Sequence, residues 1–483
     1  MKKMKKIIFP LLTALMVVGC TRDDINTNSH SAYSVIPSTL ITFSQKALSD
    51  NVTTPNVNNN NFRLTMQYWT ETTYVQESNY DFASRSVSDQ VYSDNYVNVL
   101  NNLVKAKGLI NAYIPTPTEA PTWEAVKNNQ LSIIDIMIVY TYQNLVDTFG
   151  NIPYSEANQL ATTVTPKYDD AATIYTDLIN RLTVDLNTLD VTQTSALGSA
   201  DLYYAGDVTK WKKFGSSVLL KLGIALADSN PTLAQTTVNK AINYGVITAA
   251  ADNCKLAYLT SSPNYSPIYA NVVASDRNDY VAGKPFVDYL INSNDTRISK
   301  YFKTVPGVGG YKGQGIGAPA AFDEFSAPGQ FAYTTTTPGI LLNNTEVYLY
   351  LAEAAARWNI GSAATNYESA VTASFVEWGL TPIDATAYLT LHPYDSTNWK
   401  KSIGEQAWVS MYNQPLTSWN FWRRLDYPQL IAAANATPSA SGKVPVRLVY
   451  SPREASTNGA NVTAAATAIG GDKMTTKLFW DKF

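Results

Sequence analysis

Apolar residues recur at spacings of three and four along much of this 483-residue chain. That period commits those stretches to helices rather than strands. In "NNQLSIIDIMIVYTYQNLVDTFGNIPY", residues 128–154, Leu131, Ile134, Ile138, Tyr142, Leu145 and Phe149 make one apolar stripe, and Gly150 followed by Pro153 stops the helix. A second stripe follows Asp169 and Asp170 and runs through Tyr175, Leu178, Leu182, Leu186 and Leu189. Acids at that start favour the positive end of a helix dipole. The next pair is "VTKWKKFGSSVLLKLGIALA", with Trp211, Phe214, Val218, Leu222 and Ala225 on one face, and "PTLAQTTVNKAINYG", opened by Pro231 and closed by Gly245. In the third, Val347, Leu351, Ala354 and Trp358 precede a Gly361 stop, and Tyr367, Ala370, Ser374 and Trp378 follow it. Three helix–turn–helix units predict an all-α fold of divergent tetratricopeptide-like pairs, each covering its neighbour's open face. Their spacing is irregular, so long insertions separate them.

Two insertions outside the pairs have unusual compositions. From Asn58 to Asn95 the chain is crowded with aromatics and amides and has few aliphatics, so it is expected to add little core. From Ala257 to Tyr333 it reads as long loops, ending in the glycine-rich "PGVGGYKGQGIGAPAAFDEFSAPG". Loops of this length in an ordered domain are commonly either functional or disordered. The glycines do not make a nucleotide loop, because no buried strand precedes them, no Gly-Lys-Ser/Thr ends them and no helix opens from them.

The N-terminus carries a separate signal. Lys2, Lys3, Lys5 and Lys6 precede the short apolar run "IIFPLLTALMVV", and Gly19 is the small residue a cleavage site needs. Residues 1–19 therefore read as a signal peptide. Cys20, directly after Gly19, resembles the acylated cysteine of the bacterial lipoprotein box, and "TRDD" resembles the acidic tag that sends such lipoproteins of Bacteroidetes to the cell surface. Residues 20–35 then form a tether, within a domain running from 20 to 483. Without the four signal lysines the chain has 32 basic against 39 acidic side chains, a net of about −7, which disfavours nucleic acid as a partner. With Cys20 acylated, Cys254 has no partner, so stability must come from the core and not from a disulfide. The 31 Tyr and 10 Trp suit surfaces that grip amphipathic ligands such as sugars.

Six segments in order resemble the SusD/RagB family of Bacteroidetes: "DTFGNIPYSEA" (147–157), "WKKFGSSVLLKLGIALA" (211–227), "EVYLYLAEAAARWN" (346–359), "FWRRLDYPQL" (421–430), "VPVRLVYSPREASTNGANV" (444–462) and "GGDKMTTKLFWDK" (470–482). The resemblance covers nearly the whole chain from Cys20 and looks closest to the SusD-like lipoprotein branch. It implies a SusD-like helical fold and a lipid anchor on the outer face of the outer membrane. It also implies a partner, a SusC-like TonB-dependent barrel for which the protein captures ligand and acts as a lid. Taken by itself, "FWRRLDYP" reads as scaffold, with Arg423 and Arg424 stacking on rings and bonding carbonyls.

Catalysis finds little in the residues. His30 and His392 are the only histidines, so there is neither metal spacing nor a triad base, and no cofactor is implied. A glycoside hydrolase could use Asp323 and Glu324, but adjacent side chains tend to point apart. Capture by stacking fits better, because a sugar has apolar C–H faces and a hydroxyl rim. Trp69, Tyr74, Asn79 and Tyr80 in the first insertion, and Tyr265, Tyr269, Asn271 and Arg277 in the second, offer rings with amides and a guanidinium beside them. The expected function is oligosaccharide capture. A peptide-binding, RagB-like lid is the competing reading.

Overall fold

A computed structural model describes residues 36–159 and 161–482. The expected signal peptide and tether, with Cys20 and His30, lie outside the described residues. Helix α1 (Pro37–Thr53) buries Leu40, Ile41, Ser44, Gln45 and Leu48, positions that share one helical face. The 30-residue α2 (Ala120–Phe149) begins earlier than its stripe suggests, with a proline in its first turn. Every residue from Ser132 to Phe149 is buried. A helix buried all round is a core helix, so the single expected stripe understates how completely α2 is enclosed.

The three expected pairs form. Helix α3 (Ala171–Thr188) packs on α2 and is capped by Asp170, which accepts from the Thr173 N–H at 2.9 Å. Helices α4 (Val208–Ala225) and α5 (Pro231–Tyr244) make the second pair. A Cβ at Gly223 would lie 3.0 Å from a Val238 methyl and 3.2 Å from Thr237, so glycine sets how closely α4 and α5 approach. Helices α6 (Asn344–Trp358) and α7 (Ala363–Glu377) make the third, turning through Asn359 and Gly361 at positive φ. A further pair, α8 (Trp399–Ser410) and α9 (Pro415–Leu425), packs against α6.

The "FWRRLDYP" segment is scaffold. The Arg423 guanidinium lies 3.5 Å from the Trp419 ring centroid and donates to the Val446 carbonyl at 2.8 Å. Arg424 pairs with the buried Glu353, which also takes Arg357 at 2.8 Å. Cys254 is buried and free, and burial pushes its thiol pKa up. No helix among the described residues is long and apolar enough to cross a membrane.

Small antiparallel ribbons accompany the helices: β1 (Trp69–Glu71), β2 (Ile152–Pro153), β3 (Tyr168–Asp169), β4 (Cys254–Leu256), β5 (Tyr280–Ala282) and β6 (Gly339–Leu342), paired β1–β5, β2–β3 and β4–β6. They correct the expectation for the first insertion. Leu64, Met66, Tyr68, Trp69, Tyr80, Phe82 and Val87 are all buried, so that segment belongs to the core. Its polar tips permit this because they find partners: the Tyr68 hydroxyl donates to Ser418 at 2.6 Å, while its ring meets Phe286 and Tyr412 edge-on at 4.7 and 5.2 Å. A buried hydroxyl with a partner avoids the desolvation penalty that makes isolated polar groups costly.

Candidate functional site

The β1–β5 ribbon joins the two insertions. Its register sets Trp69 opposite Ala282 and Glu71 opposite Tyr280, which brings the loop after β1 alongside the one before β5. The Thr72 N–H donates to the Asp279 carbonyl at 2.7 Å, and the Thr72 carbonyl accepts from Ala320 at 3.1 Å. Arg277 is held between two carboxylates, Glu71 at 2.6 Å and Asp279 at 2.6 Å, with its guanidinium 4.4 Å from the Tyr280 ring centroid. Burial, then Glu77, pushes the Glu71 carboxyl up to about 7 against the pull of Arg277. Burial opposes the Arg277 charge too, but Asp279, Tyr280 and Glu71 together hold its pKa above the usual arginine range. The stronger effect at Glu71 is burial, since its side chain is fully enclosed while Arg277 keeps partial access to water.

On this base stands Tyr74, 69% exposed and at φ 57°. The loop behind it is anchored by Asn79, whose Nδ2 donates to the carbonyls of Val75 at 2.9 Å and Gly317 at 2.8 Å. A Cβ at Gly317 would fall 2.2 Å from Asn79 Oδ1. Gly317 is therefore held to glycine by the close approach of the Asn79 side chain.

The eight candidate side chains divide. Trp69 and Tyr80 are fully buried and present no ring face to a ligand, a correction that follows from their partners. Trp69 donates its Nε1–H to the Tyr412 hydroxyl at 2.6 Å, under the Arg63 guanidinium at 4.6 Å. Burial lowers the Arg63 pKa to about 10. The Tyr80 hydroxyl meets Gln67 and the Ala433 N–H, each at 3.4 Å. Asn79 is buried and spends its amide on the loop. Tyr74 and Arg277 lie on the two loops that the β1–β5 ribbon sets side by side. Tyr265 lines a separate cleft against α1 and meets Tyr269 edge-on at 5.3 Å, and Asn271 is half-buried nearby in the chain, its carbonyl accepting from Ser275 at 2.5 Å. Glu71 and Asp279, which fix Arg277, escaped sequence reasoning because their pairing depends on a strand register between residues more than 200 positions apart, such as Glu71 and Tyr280. Among the described residues no group of three or more His, Cys, Asp or Glu could hold a metal ion.

Residues 27–451 match a SusD-like family model described as "Starch-binding associating with outer membrane". The chain belongs to the SusD-like family. Its members bind rather than catalyse, and the family description places them at the outer membrane. Among solved structures, a chitin-binding protein is 25% identical with a TM-score of 0.81, over 92% of this chain and 100% of its own. A chitin-binding SusD homologue from Flavobacterium johnsoniae is 22% identical with a TM-score of 0.77, over 92% and 98%. A SusD-like protein from Bacteroides thetaiotaomicron is 23% identical with a TM-score of 0.77, over 92% and 98%. No curated protein matches the chain. The SusD-like helical fold that the six segments' resemblance implied is thus the fold observed.

Proposed function

We propose that this SusD-like protein captures oligosaccharides at the loop junction, with Tyr74 as the stacking ring and Arg277 as a hydrogen-bonding edge, and hands them as a lid to a SusC-like TonB-dependent barrel. The observation that carries the reading is the exposed Tyr74 ring on a loop pinned by Asn79, Thr72 and the Glu71–Arg277–Asp279 cluster. A loop held in place loses little freedom on binding, which is how preorganised sites gain affinity. The chitin-binding neighbours give the ligand class to try first. In titration against chitin, starch and other neutral oligosaccharides, Tyr74→Ala is expected to lower affinity about tenfold or more, because base-free stacking on one exposed ring is of the order of a hot-spot contact. Its melting temperature should stay within a degree or two of the parent's, since exposed positions carry little stability. Unchanged glycan affinity, or binding to peptides alone, would refute the reading.

Anchoring belongs to the same proposal. Acylation of Cys20 would hold the protein at the outer membrane, because each buried methylene contributes about 0.8 kcal/mol. Cys20→Ala is expected to abolish metabolic labelling with a fatty acid and to release the protein from membranes, and a larger barrel protein should co-purify with the parent in mild detergent. Labelling that persists in the variant would remove the anchor from the proposal.

A further inference from the structure

A cleft of about 560 Å³ lies between α1 and the segment 263–270. The α1 residues that line it, Phe43, Lys46, Ala47, Asp50 and Asn51, fall at spacings of three and four and so share a face, turned away from the one that packs on the core. Two π-helical segments border it: Asp94–Leu100 contributes Asp94 and Asn98, and Ala270–Ala274 contributes Ala270. Such segments are rare and concentrate at functional sites. Two such segments bordering one cleft mark it as more than a packing defect.

Its chemistry is specific. The charges are already paired within the protein: Lys46 to Asp50 at 2.6 Å, Asp50 also to the Tyr258 hydroxyl at 2.7 Å, and Asp94 to the amides of Asn59 at 2.6 Å and Asn98 at 3.2 Å. One lysine against two aspartates leaves a small negative excess, which repels an anion. What the cleft offers outward is a Phe43 ring that is 51% exposed, a half-exposed Tyr265 ring supported edge-on by Tyr269, and the amides of Asn56 and Asn264, neither of them buried. Flat apolar faces with neutral donors and acceptors at the edge match a pyranose ring and its hydroxyls.

We infer that this cleft is a second sugar-binding site, selective for uncharged hexopyranose units, which holds a further part of the chain captured at Tyr74. This rests on the glycan reading of the loop junction. Seven residues separate Ala270 on the cleft wall from Arg277 at the junction, a stretch that spans at most about 25 Å, so one polymer chain can engage both and gain by effective concentration.

The test is isothermal titration of the intact protein with a length series of neutral oligosaccharides, using Tyr74→Ala, Tyr265→Ala and Phe43→Ala. Phe43 is half-exposed, so its variant carries the test even where Tyr265→Ala perturbs folding. Parent affinity is expected to rise with chain length. Tyr265→Ala and Phe43→Ala should each lower affinity for long chains about tenfold and leave the shortest binding sugars unaffected, and a uronic-acid polymer should bind more weakly than its neutral counterpart. Loss of affinity in Tyr74→Ala with full length dependence retained in both cleft variants would overturn the second site alone. Absence of glycan binding by the parent would overturn both sites.

Discussion

Trp69→Ala is expected to cost ~3 to 5 kcal/mol of stability, the range for truncating a buried tryptophan to alanine, and to lower the denaturation midpoint accordingly. Three things go together in that substitution. The ring packs against Tyr280 at a centroid distance of 5.3 Å, the Arg63 guanidinium covers it at 4.6 Å, and its Nε1–H donates to Tyr412 at 2.6 Å. Arg63 would keep its bonds to the Tyr412 carbonyl at 2.9 Å and Asn413 at 3.1 Å but would face a cavity. Trp69→Phe separates the contributions. It keeps most of the packing and removes one donor, so a loss of about 1 to 3 kcal/mol is expected. Chemical denaturation of the three proteins measures both values. A Trp69→Ala variant with parental stability and reduced glycan affinity would return this residue to the binding surface and contradict its burial.

The second large effect is expected at Asp295. Its carboxylate takes Arg297 through Nε at 2.9 Å and Nη2 at 2.6 Å, and neither side chain touches solvent. The remaining guanidinium donors reach Ser374 at 2.9 Å, Ser410 at 3.1 Å and Gln406 at 3.1 Å, so one arginine ties the 295–297 turn to α7 and α8. Removing one partner of a buried ion pair leaves the other charge uncompensated, at a cost of about 3 to 5 kcal/mol. Asp295→Ala should therefore unfold at markedly lower denaturant than the parent. Asp295→Leu combined with Arg297→Met should recover part of that loss, because an apolar replacement of the whole pair removes the stranded charge. Recovery stays partial, since Ser374, Ser410 and Gln406 lose a donor. Equal stability of parent and Asp295→Ala would show that the pair contributes nothing net.

Residues that act within their own segment were legible from the sequence. The stripes of α3 and α4, the acidic start of α3, the Pro231 start and the Gly150, Gly245 and Gly361 stops lie within a few residues of what they control, and a helix repeats its instructions every three or four positions. The scaffold role of Arg423 and Arg424 was legible too, because their ring and backbone partners include near neighbours such as Trp419 and Phe421. The first insertion was not. Its amides and rings look like surface until their partners are known, and those partners stand far along the chain: Tyr412 for Trp69, Ser418 for Tyr68, Gly317 for Asn79. Rings with a polar edge can be buried or exposed with little change in local pattern, and the choice depends on whether that edge finds a partner. Tertiary structure alone therefore decided that Trp69 and Tyr80 support the loop junction from beneath, that Tyr74 stands open above them, and that Tyr265 faces α1 instead.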